Sequence, residues 1–164
     1  MIQIRAAQID DISFITEIYN DAIANTTATF DTEIKDEENR KEWLTNRTKN
    51  FPVIVAEKNN EVVGYAAINQ WSPKKGYDLC GEVSFYVKPQ FRNQGIGKKL
   101  LGHLIKLSSE TNLQTVISRI TQGNDSSIYL HKLNEFEVVG VLKKCGNKFG
   151  KVIDVTIMQK VILQ

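Results

Sequence analysis

The sequence is poor in cysteine, proline and histidine. Of its 164 residues, two are cysteines, three are prolines and two are histidines. A disulfide scaffold needs more cysteines, and Cys80 and Cys145 lack the C-x-x-C spacing of redox or zinc sites, so we expect two reduced thiols in a cytoplasmic protein. His103 and His131 lie far apart without ligand partners at metal spacing, and we therefore expect no bound metal.

An excess of one charge sign and a long apolar run are also missing. The formal net charge is +2, from 21 basic and 19 acidic residues, which gives no support to a dedicated nucleic-acid binder. No segment is apolar for long enough to span a bilayer, and residues 1–5 lack the apolar run of a signal peptide. The chain length and the hydrophobic content of 41% suit one globular domain over residues 1–164.

Hydrophobic periodicity predicts a fold that mixes helices and strands. The predicted helices cover residues 10–24, 36–49, 95–110 and 125–133. The predicted strands cover residues 2–6, 51–58, 61–71, 82–87, 114–120, 135–141 and 152–161. Asn59 and Asn60 tolerate positive φ and predict a tight hairpin turn. Hairpins outnumber crossovers, which indicates an α/β fold of the α+β kind with a largely antiparallel sheet.

A glycine-rich turn at residues 90–98 joins a predicted strand to a predicted helix. Glycines at a helix start leave backbone N–H groups unhindered, and these groups favour a phosphate together with the helix dipole. The dinucleotide fingerprint would need glycine where Leu100 stands, and the triphosphate loop would need glycine at Arg92. Residues 92–97 instead fit R-x-x-G-x-G. The motif alone leaves two interpretations open: an anion site, or glycines that serve only the turn.

This motif, after a strand and before an amphipathic helix, resembles the acetyl-CoA site of the GNAT-type N-acetyltransferases. The positions that match a second motif of that family, about thirty residues later, are Asn124, Ser127, Leu130 and Phe136. Two positions depart from the usual pattern, because His131 stands in place of tyrosine and Glu135 in place of glycine.

Within that family the chain is similar to the phosphinothricin acetyltransferase-like branch, in which a histidine at position 131 is expected. The matching pieces are residues 18–22, 25–28, 55–57, 64–66, 86–87, 130–131 and 148–150, with Trp71, Glu82, Ser84 and Asp154. The resemblance covers residues 4–159. It implies the GNAT fold: a mixed, mainly antiparallel seven-stranded sheet flanked by helices, with two parallel central strands that splay apart.

The resemblance also implies acetyl-CoA as co-substrate, without a metal. The backbone groups that would hold its pyrophosphate belong to Gln94, Gly95, Ile96, Gly97 and Lys98, with Arg92 at the edge. The strand residues that would pair with the pantetheine arm and direct an N–H at the thioester oxygen are Phe85, Tyr86 and Val87. Asn124, near the sulfur, and Ser127 complete this set.

For catalysis, the resemblance implies Glu82 as the general base that takes the amine proton directly or through water. Partial burial would help a carboxylate take up a proton near neutral pH. His131 is implied as the acid for the leaving thiolate or as a second proton relay. Without the family pattern, Glu82 is an ordinary polar residue at a strand start. His131 is equally well explained as a helix histidine packed against the sheet.

On the substrate side, the residues that we expect to line or close the pocket are Thr27, Thr29, Phe30, Trp71, Lys148 and Phe149. In this branch an arginine commonly follows the tryptophan and holds anionic groups of the substrate. Here that position is Ser72, and a hydroxyl cannot replace a bidentate guanidinium. Lys74, Lys75 or Lys148 could compensate, so the sequence leaves the exact acceptor open.

The leading interpretation is an acetyl-CoA-dependent N-acetyltransferase acting on the amine of a small amino-acid-like substrate, of the methionine sulfoximine, methionine sulfone or phosphinothricin type. A homodimer is expected, since members of the branch often dimerise, with the C-terminal strands at the interface. One alternative is a non-catalytic acyl-CoA sensor, which the presence of Glu82 and of the glycine pair disfavours. The other is a protein N-terminal acetyltransferase, which a small aromatic and threonine-lined pocket disfavours.

Overall fold

The structure, a computed structural model, describes residues 1–162. It consists of one seven-stranded sheet with helices on both faces. The helices are α1 (Ile12–Asn25), α2 (Glu37–Thr45), α3 (Ile96–Ser108) and α4 (Asp125–Leu133). The strands are β1 (Ile2–Ala6), β2 (Val53–Lys58), β3 (Glu61–Gln70), β4 (Cys80–Val87), β5 (Thr115–Thr121), β6 (Glu137–Lys148) and β7 (Lys151–Val161).

The strands follow one another in the order β1-β2-β3-β4-β5-β7-β6. Every neighbouring pair is antiparallel except β4 and β5, which are parallel. The β4–β5 pairing covers only Cys80, Gly81 and Glu82 on the β4 side, after which the two strands separate. The predicted mixed sheet with splayed central strands is therefore confirmed.

Two apolar clusters lie on opposite faces of the sheet. Ile15 and Ile18 of α1 pack with Val55 of β2 on one face, and Leu100 and Leu104 of α3 pack against the other. Because β2 and β3 are covered on both sides, their sequences are almost continuously apolar instead of alternating. The predicted hairpin between them is confirmed, since Asn59 and Asn60 have φ of 52° and 63°.

Two element boundaries differ from the predicted ones by four residues or more. Helix α2 ends at Thr45 instead of residue 49, because the side chain of Arg47 turns inward to the backbone oxygens of Phe51 and Ile68. Strand β6 continues to Lys148 instead of ending at residue 141. The basic composition of residues 143–148 is compatible with a strand because β6 lies at the sheet edge, where charged side chains reach solvent.

Candidate active site

The candidate site begins where β4 and β5 separate. The N–H of Lys88 donates to the carbonyl of Val63 on β3. Hydrogen bonds alternate along an antiparallel pair, so the N–H groups of Phe85 and Val87 point to the opposite edge. Within residues 1–162, no strand pairs with that edge beyond Glu82. An open strand edge of this kind can pair with an extended ligand that contains amide groups.

The glycine-rich turn leads from this open edge into α3. Gly95 has a φ of 77°, a left-handed conformation that glycine adopts without strain. A Cβ on Gly97 would lie 3.2 Å from the ring of Phe85 and 3.3 Å from Leu130, so glycine lets the start of α3 approach these two side chains closely. The first N–H groups of a helix have no partner within it, and here they are available to an anion. Ile96 offers only its backbone, since its side chain is buried.

Other predicted side chains of the turn are engaged by the protein itself. Arg92 donates from Nε to the carbonyl of Val87 at 3.1 Å and pairs with Asp21 at 3.3 Å. Gln94 accepts a bond from Lys58 and donates to the carbonyl of Gln90. Arg92 therefore holds the end of the open edge in place, and its positive charge lies beside the α3 N-terminus.

A cavity of about 690 Å³ passes through the gap between β4 and β5. It brings together the following predicted site residues: Thr29, Phe30, Glu82, Phe85, Tyr86, Asn124, Ser127 and His131. The predicted site residues outside its lining are Thr27, Trp71, Val87, Arg92, Gln94, Gly95, Ile96, Gly97, Lys98, Lys148 and Phe149. The side chain of Asn124 caps α4 by accepting from the N–H of Ser127 at 3.2 Å, which orients it in the cavity.

Glu82 is held by an arginine from the neighbouring strand. Arg119 of β5 donates from Nε and Nη2 to the two carboxylate oxygens of Glu82, at 2.5 and 2.6 Å. This hydrogen bonding raises the pKa of Arg119. The side chain of Glu82 is 16% exposed, and that of Arg119 is 56% exposed. The cavity therefore contains a carboxylate whose ion-pair partner also faces the cavity.

Arg119 also connects Trp71 to the site. The Cζ atom of Arg119 lies 5.5 Å from the centre of the Trp71 ring, within cation–π range. Trp71 therefore contacts a residue of the site without lining the cavity itself.

Other residues predicted to line the pocket connect the end of β6 to the loop after α1. Lys148, which is buried, donates to the carbonyl of Thr29 at 2.8 Å, and burial lowers the pKa of Lys148. A methyl group on Gly146 would overlap the ring of Phe30, so this glycine lets β6 approach residues 27–31 closely. Phe149 is 57% exposed at the hairpin end. The turn after β6 is thus attached to the loop after α1.

Sequence reasoning missed several cavity residues, above all Tyr19, Arg40, Trp43 and Arg119. The guanidinium of Arg40 stacks on the rings of Tyr19 and Trp43, at 4.9 and 4.7 Å from their centres. Burial, together with Asp31, raises the pKa of Tyr19 to about 12, although a bond from Thr29 opposes the change. The signal that could have identified Arg119 was its charge, because every other residue of the central strand β5 is uncharged.

His131 is 1% exposed and lies between the rings of Phe85 and Phe136. Its Nδ1 lies 2.7 Å from the carbonyl of Ser127, so this nitrogen carries the ring hydrogen in the neutral form. Its Nε2 is buried and has no hydrogen-bond partner among residues 1–162. Burial lowers the pKa of His131, and the bond to Ser127 opposes this only partly. The resulting neutral ring presents a lone pair, not a proton, at Nε2.

The lowered pKa of His131 predicts a loss of stability in acid. Below the ordinary value of 6.5, the unfolded chain takes up a proton that the folded chain does not, so the free energy of unfolding falls by up to about 1.4 kcal/mol per pH unit. Above that pH, His131 does not make the free energy of unfolding depend on pH. Urea unfolding between pH 5 and 8 should therefore show a shallower acid limb for His131→Gln than for the natural protein.

The chain offers a matched control for this experiment. His103, the other histidine, is exposed on α3, so His103→Gln should leave the acid limb unchanged. Parallel pH curves for His131→Gln and the natural protein would contradict the predicted effect.

Within residues 1–162, no group of three or more His, Cys, Asp or Glu side chains is placed to hold a metal ion. In the same part of the chain, no helix is long and apolar enough to cross a membrane. Cys80 and Cys145 are both free thiols.

An open strand edge beside a helix start with free N–H groups, and a carboxylate across the gap, are compatible with an acyltransferase that uses an extended, phosphate-bearing acyl donor. The pattern of the acetyltransferase (GNAT) domain matches residues 4–157. The chain belongs to this family and is an N-acetyltransferase. The resemblance inferred from residues 92–97 is thereby confirmed.

Comparison with known proteins agrees with this assignment. The chain is 38% identical to an L-methionine sulfoximine/L-methionine sulfone acetyltransferase of Pseudomonas aeruginosa, over 95% of this chain and 92% of that one. A phosphinothricin acetyltransferase from Sinorhizobium meliloti, solved in complex with acetyl-CoA, superposes with a TM-score of 0.94 at 31% identity, over 98% and 88% of the two chains. A ribosomal-protein-alanine N-acetyltransferase from Brucella melitensis superposes with a TM-score of 0.93 at 42% identity, over 97% and 99%.

Proposed function

We propose that this protein transfers the acetyl group of acetyl-CoA to the amine of a small amino-acid-like acceptor of the methionine sulfoximine, methionine sulfone or phosphinothricin type, with Glu82 as general base. One observation carries the proposal. The cavity connects Glu82 with the open edge at Phe85 and with His131 through the gap in the sheet, so an amine and a thioester could meet there.

The residues fit an acetyl-CoA molecule on grounds of geometry and chemistry. The free N–H groups at the start of α3 suit its pyrophosphate. The open edge at Phe85 and Val87 suits the amide-containing arm. Asn124, whose side-chain oxygen caps α4, keeps its amide N–H groups for the same arm. When bound, acetyl-CoA supplies the acetyl group as a thioester.

The proposed roles in catalysis follow from the groups around the gap. Glu82, ionised beside Arg119, takes the proton that the amine must lose, directly or through water. An N–H of the open β4 edge stabilises the negative charge that develops on the acetyl oxygen. Nε2 of His131 carries a free lone pair, so this atom must receive a proton before it can donate one. His131 therefore suits a proton relay better than the role of an acid that is already protonated.

The size and lining of the cavity support a small acceptor. A cavity of about 690 Å³ lies in the range of small-molecule sites, and the Lys148 bond to Thr29 fixes one wall. The name of the Pseudomonas aeruginosa relative supports the same substrate class. The name of the Brucella melitensis structure favours one alternative, acetylation of a protein N-terminus. A non-catalytic sensor is disfavoured because it would not need an ionised carboxylate in the gap.

Thiol release from acetyl-CoA tests the proposal directly. The acceptor panel contains methionine sulfoximine, methionine sulfone, phosphinothricin, a polyamine and peptides with an N-terminal alanine. Turnover of the three amino acids at rates well above the others is the expected result. Turnover of peptides alone would replace the proposal with N-terminal acetylation, and binding of acetyl-CoA without any turnover would support the sensor.

We further propose that the enzyme is a cytoplasmic homodimer that associates through β6 and β7. Both thiols are free, as a reducing compartment maintains them. Exposed apolar side chains follow the two strands, namely Val138, Val139, Val141, Leu142, Val152 and Val161, and such a patch indicates an interface. Sedimentation equilibrium should give twice the chain mass, and Val139→Glu should shift the protein to monomer. A monomeric natural protein would contradict the proposal.

A further inference from the structure

The guanidinium of Arg119 donates hydrogen bonds to the protein from two of its three nitrogen atoms. Its Nε and Nη2 atoms hold Glu82, and one of its faces lies towards the Trp71 ring. Within residues 1–162, its Nη1 atom has no hydrogen-bond partner. The side chain is 56% exposed and lines the cavity. The edge formed by Nη1 and Nη2 can therefore receive a second carboxylate in bidentate geometry.

The charges at this point favour an acceptor that carries both signs. Glu82 and Arg119 cancel each other, so the pair is neutral before a substrate arrives. A simple amine would bring its ammonium towards Glu82 but also towards the positive guanidinium, and that repulsion would be uncompensated. An ammonium with an adjacent carboxylate satisfies both groups. Negative and positive charges then alternate along the site. The carboxylate of the acceptor lies against Arg119, Arg119 lies against Glu82, and Glu82 faces the ammonium of the acceptor.

We infer that Arg119 is the specificity-determining residue of the acceptor site, and that its free edge binds the α-carboxylate of a zwitterionic amino acid whose ammonium faces Glu82. This inference rests on the proposed function and narrows it. Peptides, polyamines and amino-acid amides are poor acceptors because their amine has no neighbouring carboxylate.

Arg40 is the other arginine of the cavity lining, and its position suits this role less well. Its guanidinium lies flat on two aromatic rings. Among the described residues, no hydrogen bond or ion pair joins it to Glu82. The ammonium and the carboxylate of an α-amino acid share one carbon atom, so the group that binds the carboxylate must lie beside the base. Arg119 meets this requirement through its direct contact with Glu82.

The test compares L-methionine sulfone with its α-carboxamide as acceptors for thiol release. The readout is the ratio of the two kcat/KM values, in which changes common to both acceptors cancel. The natural protein should prefer the carboxylate by about 10- to 150-fold, the usual effect of a hydrogen bond to a charged group. In Arg119→Gln the ratio should fall to about 1, while in Arg40→Gln it should keep its natural value.

The outcomes separate this inference from the proposed function. If the natural protein acetylates neither acceptor, the proposed function fails and this inference fails with it. If it acetylates the amino acid and Arg119→Gln keeps the natural ratio, only this inference is overturned. A ratio that collapses in Arg40→Gln instead would assign the carboxylate to Arg40. Thermal unfolding of both variants identifies any that fail to fold, and Arg119→Lys then replaces Arg119→Gln, with a reduced ratio expected.

Discussion

Glu82→Gln is expected to lower kcat for an amino-acid acceptor by about 10²- to 10⁴-fold, the usual contribution of a positioned base. The amide has nearly the same shape and still offers an oxygen to Arg119, but it cannot take a proton. The KM for acetyl-CoA should change little, because Glu82 lies on the acceptor side of the gap. Steady-state thiol release at several pH values provides both constants.

The pH dependence of kcat provides a second test of Glu82 as the base. Without its base, the variant depends on acceptor molecules that have already lost their proton, and that fraction rises about tenfold per pH unit below the amine pKa. The deficit of Glu82→Gln should therefore shrink as the pH is raised. A variant with natural kcat at neutral pH would show that Glu82 is not the base.

Glu135→Gln is the matched control. Glu135 forms an ion pair of similar length with Lys160, at 2.7 Å, but it is exposed and lies outside the cavity lining. An exposed pair of this kind contributes little to stability, because solvent screens it. Glu135→Gln should therefore keep natural kcat and nearly natural thermal stability, which separates loss of a carboxylate in general from loss of this one.

Gly97→Val is expected to weaken acetyl-CoA binding by about tenfold or more, a change of at least about 1.4 kcal/mol in binding free energy. Even its Cβ would lie 3.2 Å from the Phe85 ring and 3.3 Å from Leu130. The branched side chain must therefore displace these neighbours or extend over the free N–H groups at the start of α3. Overpacking of this kind typically costs about 1–3 kcal/mol. Isothermal titration with CoA measures the effect.

The same helix supplies the control for this variant. Gly102 has one neighbour near the position of an added Cβ, the side-chain oxygen of Asn134 at an ordinary 3.5 Å. Gly102→Ala should bind CoA normally and stabilise the helix by about 0.4–1 kcal/mol. If Gly97→Val fails to fold, Gly97→Ala offers a milder version of the same obstruction. Natural CoA affinity in both Gly97 variants would exclude this turn as the pyrophosphate site.

The local parts of the fold could be predicted from the sequence. Helix α3 with its glycine-rich start and the turn at Asn59 and Asn60 depend on residues close together in the chain. Propensity, periodicity and turn chemistry act over such distances. The predicted end of β6 at residue 141 was wrong. A charged segment can continue as a strand at the edge of a sheet, and the edge position of β6 depends on which strands are its neighbours.

By itself, the sequence determined the family, because residues 92–97 form a contiguous motif, and through that resemblance it indicated the splayed sheet; the cofactor contacts that it suggested stay predictions. Only the tertiary structure revealed that Arg119 holds Glu82, 37 residues away in the chain. It likewise placed Arg40, Tyr19 and Trp43 along the cavity, and it left Nε2 of His131 without a partner in the described part of the chain. These contacts depend on strand register and helix packing, which bring distant side chains together, so residue types and spacing alone do not reveal them.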